Sequence, residues 1–145
     1  MYFSRMVVMV QQEVAERMVA PVGDGTYCAL TLATQLYATP DIVHRVPSTC
    51  FQPRPKVDSC IVRLRNHAEC PYPVPATAIM RVIRTAFSQR RKTLRNSLTR
   101  SGGLGVPKEQ VLDAMTSVGI DGGRRPQTLS LDDFAALTLA IKEQQ

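Results

Sequence analysis

The chain has 145 residues, 44% of them hydrophobic and 21% charged, with a formal net charge of +6. That composition fits one ordinary globular domain, or a small domain with part of another, and excludes a disordered tail. No apolar run approaches the roughly 20 residues that cross a bilayer, and the short run at 6–10 lacks the small-residue cleavage site of a secretory leader.

The cysteines (Cys28, Cys50, Cys60, Cys70) form no CxxC pair, and only His44 and His67 could join them. Reduced thiols are predicted rather than disulfides or a metal site, which points to a cytoplasmic setting with no membrane partner.

The first segment reads as strand then helix. Residues 6–10 are continuously apolar, as in a strand covered on both faces. Residues 11–20 then carry Val14, Met18 and Val19 on one helical face, with Glu13, Glu16 and Arg17 outside it. Pro21-Val-Gly-Asp-Gly25 is a loop. A second helix is predicted over 28–38, closed by Pro40-Asp41.

Two β-rich runs follow, 42–46 and 59–65, and in the second Cys60, Val62 and Leu64 alternate with Ile61, Arg63 and Arg65. The connection between them contains Pro47, Pro53 and Pro55. Proline fixes the chain direction and removes ladder donors, so this is a stiff loop suited to presenting side chains. Three strands and two helices leave a first-strand edge without a partner, so 1–65 reads as the back half of a larger sheet.

Residues 66–75 form a linker, after which the pattern becomes helical. Ile79, Val82, Ile83, Ala86 and Phe87 follow helical spacing. A helix over 90–100 is predicted to bury Leu94 and Leu98, and residues 101–105 to end it. Pro107 is placed as the first residue of a helix holding Val111, Leu112, Met115 and Val118, which Gly119 ends. Ser130-Leu-Asp-Asp133 resembles a capping box opening a last helix, with Phe134, Leu137 and Ile141 inward.

The run Phe87-Ser-Gln-Arg-Arg-Lys-Thr-Leu-Arg-Asn-Ser-Leu98 puts four cations into six residues. From 70 to 108 there are eight Lys or Arg (Arg81, Arg84, Arg90, Arg91, Lys92, Arg95, Arg100, Lys108) and no Asp or Glu. Such a block is either a solvated helix face or the footprint of a phosphate backbone. The lack of compensating acid favours the second. Helical spacing cannot put Arg90, Arg91, Lys92, Arg95 and Arg100 on one face, so at least one is expected inward, paired with a carboxylate.

Phe51-Gln-Pro-Arg-Pro-Lys-Val-Asp-Ser59 resembles the FxPxPKVDS signature of small-subunit rRNA adenine N6,N6-dimethyltransferases. The run 87–98 is similar to that family's signature in its C-terminal helical domain. Met9-Val-Gln-Gln-Glu-Val-Ala-Glu-Arg-Met18 is similar to the segment after the fifth strand of its methyltransferase fold. The resemblance covers nearly the whole chain in the correct order.

It implies α/β followed by all-α. Residues 1–66 would be the C-terminal part of a Rossmann-like class I methyltransferase domain, 67–75 a linker, and 76–145 a helical rRNA-binding domain. The family's Gly-rich turn, its acidic ribose ligand and its Asn-Leu-Pro-Tyr-type motif do not occur here. The implied reading is a truncated form, with S-adenosylmethionine as cofactor of the full-length family and none expected to bind this chain alone.

By the same resemblance the reaction is dimethylation of two adjacent adenosines of small-subunit rRNA, in ribosome biogenesis, with a pre-30S-like particle as partner. Phe51, otherwise a plug beneath its loop, would stack on the target adenine. Lys56, Arg81, Arg84, Arg90, Arg91, Lys92, Arg95 and Arg100 would contact RNA. Gln89 and Asn96 read as helix caps or sugar contacts. Two departures stand out: Tyr27-Cys28-Ala29-Leu30 replaces the family's Tyr-Gly-Arg-Leu, and Arg124-Arg125-Pro126-Gln127 replaces its Arg-Ala-Glu pattern. A non-catalytic rRNA-binding module, or a nucleic-acid-binding relative acting in transcription, are the alternatives.

Overall fold

The computed structural model describes residues 3–89, 91–100 and 104–143. The chain divides into two compact units, Met1–Glu69 and Cys70–Gln145. No described helix is long and apolar enough to cross a membrane.

The first unit runs β1 (Arg5–Gln11), α1 (Gln12–Val19), α2 (Ala29–Tyr37), β2 (Ala38–Val46) and β3 (Ser59–Asn66). The sheet order is β1-β3-β2, and β3 is antiparallel to both neighbours. The alternation read in β3 sets the core. Buried Cys60 and Val62 meet Ala15 and Met18 of α1, with Val8, Val10, Ile42 and Leu64 packed around them.

Two expectations are corrected here. The continuous apolar run of β1 predicts cover on both faces, but only one is covered within this unit. Val7 and Met9, on the other face, are 59% and 56% exposed. Opposite Val7 stands Arg63, which pairs with Asp41 of β2. The second correction concerns Pro40-Asp41, which does not close α2. The helix ends at Tyr37, Ala38 is already extended, and Pro40 lies inside β2. An edge strand tolerates proline because its missing N–H can face away from the ladder. Val43 is the extra residue where the register shifts between Ile42 and His44.

The second unit holds α3 (Ala76–Phe87), α4 (Leu94–Leu98), α5 (Lys108–Ser117) and α6 (Leu131–Glu143). Ile79, Val82, Ile83 and Ala86 of α3 are buried, as are Phe134, Leu137 and Ile141 of α6. The Phe87 and Phe134 rings lie 6.2 Å apart. From α5, Val111 and Met115 are buried while Leu112, and Val118 just after the helix, stay half-exposed.

The punctuation follows the side chains. Ser130 and Asp133 form a reciprocal box: the Ser130 N–H donates to Asp133 Oδ2 at 2.9 Å, and the Asp133 N–H to Ser130 Oγ at 3.1 Å. Pro107 stands one residue ahead of α5 rather than in its first turn. Gly119 ends α5 at φ 68°.

The helix predicted over 90–100 shrinks to the five residues of α4. Thr93 caps it, its Oγ1 accepting from the Asn96 N–H. Cations ahead of a helix start oppose its positive N-terminal end, so Arg91 and Lys92 stay in the preceding turn. Residues 101–103, expected to terminate this helix, lie outside the described residues.

Candidate nucleic-acid interface

The loop between β2 and β3 is built by its own polar groups. Ser48–Cys50 form a 3-10 turn. The Ser48 N–H donates to Asp58 Oδ1 at 2.8 Å, and Arg54 Nε to Ser48 Oγ at 3.2 Å. Asp58 also accepts from the Gln12 N–H through its backbone carbonyl at 3.0 Å. Asp58 therefore ties both loop ends to the β1–α1 junction. The Gln52–Pro53 peptide bond is cis. Phe51 is half-buried on this loop and Lys56 is exposed.

Beside the loop lies an open cleft of about 380 Å³, lined by Gln11, Gln12, Glu13, Glu16, Lys56 and Asp58 among others. It sits at the carboxyl end of β1, where open α/β sheets bind ligands. Its acids are largely engaged: Glu13 pairs with Arg17, and Glu16 lies 3.7 Å from Arg45 and accepts from Gln12 Nε2 at 2.7 Å. Sequence reading gave Lys56 an RNA contact and passed over the two glutamines, which look like ordinary helix-start residues until the loop closes over them. Among the described residues no group of three or more His, Cys, Asp or Glu could hold a metal ion.

The remaining predicted contacts lie in the helical unit. Arg81 and Arg84 are exposed on α3, Arg91 and Lys92 in the turn before α4, Arg95 on α4 and Arg100 just after it. Arg90 lies outside the described residues. The expected inward cation is not found among the described members of the block. All three described ion pairs, Arg17–Glu13, Arg45–Glu16 and Arg63–Asp41, belong to the first unit. Shortening α4 removes the helical constraint that argued for an inward residue. The helical unit has eleven Lys or Arg against six Asp or Glu, a net +5, and the first unit seven against six, a net +1.

A second basic segment joins α4. The Leu94 N–H donates to the Arg124 carbonyl at 2.8 Å, and the Arg95 N–H to that of Gly122 at 2.9 Å. A Cβ on Gly122 would stand only 3.1 Å from Cβ of Arg95, so this approach leaves little room for a larger residue. Arg124 folds back onto Thr128, donating from Nε to its Oγ1 at 3.1 Å, while Arg125 is exposed. The only sequence signal for this juxtaposition is a pair of arginines directly after two glycines.

The family model for ribosomal RNA adenine dimethylase matches residues 1–143. The chain belongs to that family. It is 46% identical over 136 residues to "Ribosomal RNA small subunit methyltransferase A" of Desulfitobacterium hafniense, covering 94% of this chain and 48% of that protein. A relative of the same name from Lachnoclostridium phytofermentans is 44% identical over 137 residues, with 94% and 47% covered.

The chain thus spans about half the length of the curated relatives it matches. Among solved structures, a dimethyladenosine transferase from Plasmodium falciparum superposes with a TM-score of 0.84 at 30% identity, covering 98% of this chain and 58% of the other. The 23S rRNA methyltransferase ErmE shares the fold, with a TM-score of 0.64 at 24% identity and 96% and 55% covered. The α/β elements followed by helices are part of a Rossmann-like methyltransferase fold with its helical extension, the fold class that the sequence implies.

Proposed function

We propose that this chain is the RNA-facing part of an S-adenosylmethionine-dependent dimethyltransferase acting on two adjacent adenosines of small-subunit rRNA. The match of the dimethylase family model to residues 1–143 carries the reading. Residues 1–66 then belong to the methyltransferase domain, 67–75 link, and 76–145 bind rRNA within a pre-30S-like particle in the cytoplasm.

Each part of the site has a defined task in this reading. An adenine drawn out of its stack lies on the exposed side of the Phe51 ring, held by a loop that Asp58 closes and Pro53 and Pro55 stiffen. Lys56 neutralises a neighbouring phosphate. Arg84, Arg91, Lys92, Arg95 and Arg100, with Arg81 and Arg90, hold the backbone. Their exposure and the absence of carboxylate partners for the described members support that role.

S-adenosylmethionine supplies the methyl groups in the full-length family. The residues described here do not fit it. The β1–α1 junction passes through Gln11 and Gln12 with no glycine turn to cradle the cofactor, and Glu13 and Glu16 of the cleft beside it are already engaged by Arg17, Arg45 and Gln12. No step of transfer is therefore assigned to this chain alone. Isothermal titration of S-adenosylmethionine into it is expected to give no saturable heat, and saturable binding would overturn this.

The RNA assignment is tested by Arg91→Ala with Lys92→Ala. Losing two phosphate contacts should flatten the slope of log affinity against log salt by about 1.5. An unchanged slope removes the clamp. Tighter binding to duplex DNA than to a small-subunit rRNA fragment would favour the transcription reading instead. A second reading, a non-catalytic rRNA-binding module, rests on the same unpaired cations. The mass of the endogenous protein separates the two: about twice the 16.1 kDa of this chain for the enzyme, and 16.1 kDa for the module.

A further inference from the structure

In the helical unit a recess of about 210 Å³ opens between α3, α6 and the chain before α5. Val82, Leu104, Val106 and Ile141 make its walls, and Arg81 and Lys142 stand among its lining residues. Val82, Leu104 and Ile141 are buried and Val106 is partly exposed, while Arg81 and Lys142 are both exposed. No Asp or Glu lines it.

Gly105 helps to place one cation. At its φ of 70°, an added Cβ would meet Arg81 Nη2 at 3.1 Å, so the guanidinium lies against the loop that carries Leu104 and Val106. An apolar recess with two cations calls for a ligand with a flat or compact apolar body and an anionic substituent. Inorganic phosphate alone would leave the walls bare, and an uncharged side chain would leave the cations idle. The volume falls below the roughly 300 Å³ at which drug-sized pockets begin, and suits a single ring system.

We propose that this recess seats one unstacked nucleotide of the bound RNA, its base against the aliphatic walls and its phosphate between Arg81 and Lys142. The inference rests on the rRNA-binding reading and adds a base-binding subsite to it. Charge complementarity calls for an anion, and the rRNA-binding reading makes that anion a nucleotide rather than an acidic peptide. The unit is +5, and Arg84, three residues from Arg81 on α3, continues the positive strip. Proteins that read RNA commonly take hold of bases that have left the stack.

The test is a titration of the whole chain, with labelled Ile, Leu and Val methyls, by adenosine 5′-monophosphate. Saturable shifts are expected at Val82, Leu104, Val106 and Ile141. Arg81→Ala with Lys142→Ala should weaken the nucleotide about tenfold. Val106→Glu, placed where the wall is already partly exposed, should abolish the shifts with the rest of the methyl spectrum unchanged.

Unmoved methyls would overturn the proposal. So would shifts that persist in Val106→Glu, or saturation by N-acetyl-leucyl-aspartate without saturation by the nucleotide. A parallel titration with a small-subunit rRNA hairpin separates the two levels. RNA binding with its full salt dependence but silent recess methyls sinks the subsite alone, whereas no RNA binding sinks the reading beneath it.

Discussion

Gly119 occupies a conformation that no residue with a Cβ adopts freely. At φ 68° it lets the Ile120 N–H reach the Met115 carbonyl at 2.9 Å and its own N–H reach that of Thr116 at 3.1 Å, closing α5. Gly119→Ala leaves space around the new methyl but strains the backbone. It should cost about 1 kcal/mol, or roughly 4–8 °C in Tm for a unit of this size, read by calorimetry. Ile83 is a different kind of residue: fully buried in α3 with no polar role, it should cost about 2–5 kcal/mol as Ile83→Ala in chemical denaturation. At Phe51 the side chain is half-buried, so Phe51→Ala in a full-length enzyme should lower kcat while leaving the Tm within a few degrees. A fall in Tm large enough to account for the lost turnover would mean that the ring is only a plug.

The helices show where local chemistry agrees with the fold and where it opposes it. In α6, Asp132 and Asp133 stand in the first turn, and Ser130 closes the capping box. Ser130→Ala should lose about 1 kcal/mol, and Ser130→Thr should recover most of it. In α4 the sign of the charge is reversed, since Arg91 and Lys92 precede Thr93 at the positive end of a helix only five residues long. Lys92→Glu should therefore raise stability by about 0.5 kcal/mol while weakening RNA binding. Equal losses in both would argue that Lys92 is structural.

This contrast also explains what the sequence made legible. Apolar periodicity located the α3 and α6 faces, and alternation located β3, because burial imposes those patterns directly. It overextended α4, where Arg91 and Lys92 oppose the positive end of the helix and the helix starts only after Thr93. It also missed the pairing of residues 122–124 with α4, since backbone contacts between distant segments leave no periodic trace. The loop at Phe51 was readable from its prolines and its signature, whereas the cleft beside Gln11 and Gln12 emerged only from tertiary closure.

As a whole the molecule is two units of unequal self-sufficiency. The helical unit buries the facing apolar sides of α3, α5 and α6. The sheet leaves Val7 and Met9 open on one face, and β1 pairs on one edge only among the described strands. Calorimetry should resolve two transitions, the sheet unit melting first. Val7→Lys with Met9→Lys should reduce aggregation without lowering the second transition, and one transition covering both units would contradict this.

The strand order also sets a timetable. Among the described strands β1 and β2 pair only with β3, which lies between them yet is the last of the three in the chain. During synthesis β3 can join neither neighbour until Asn66 has emerged, an interval of roughly 3–11 s after Gln11 at ordinary elongation rates. For those seconds the edge of β1 that β3 will take stays open beside the translating ribosome, so a pause before residue 59 should prolong its capture by chaperones, whereas a pause after residue 66 should not.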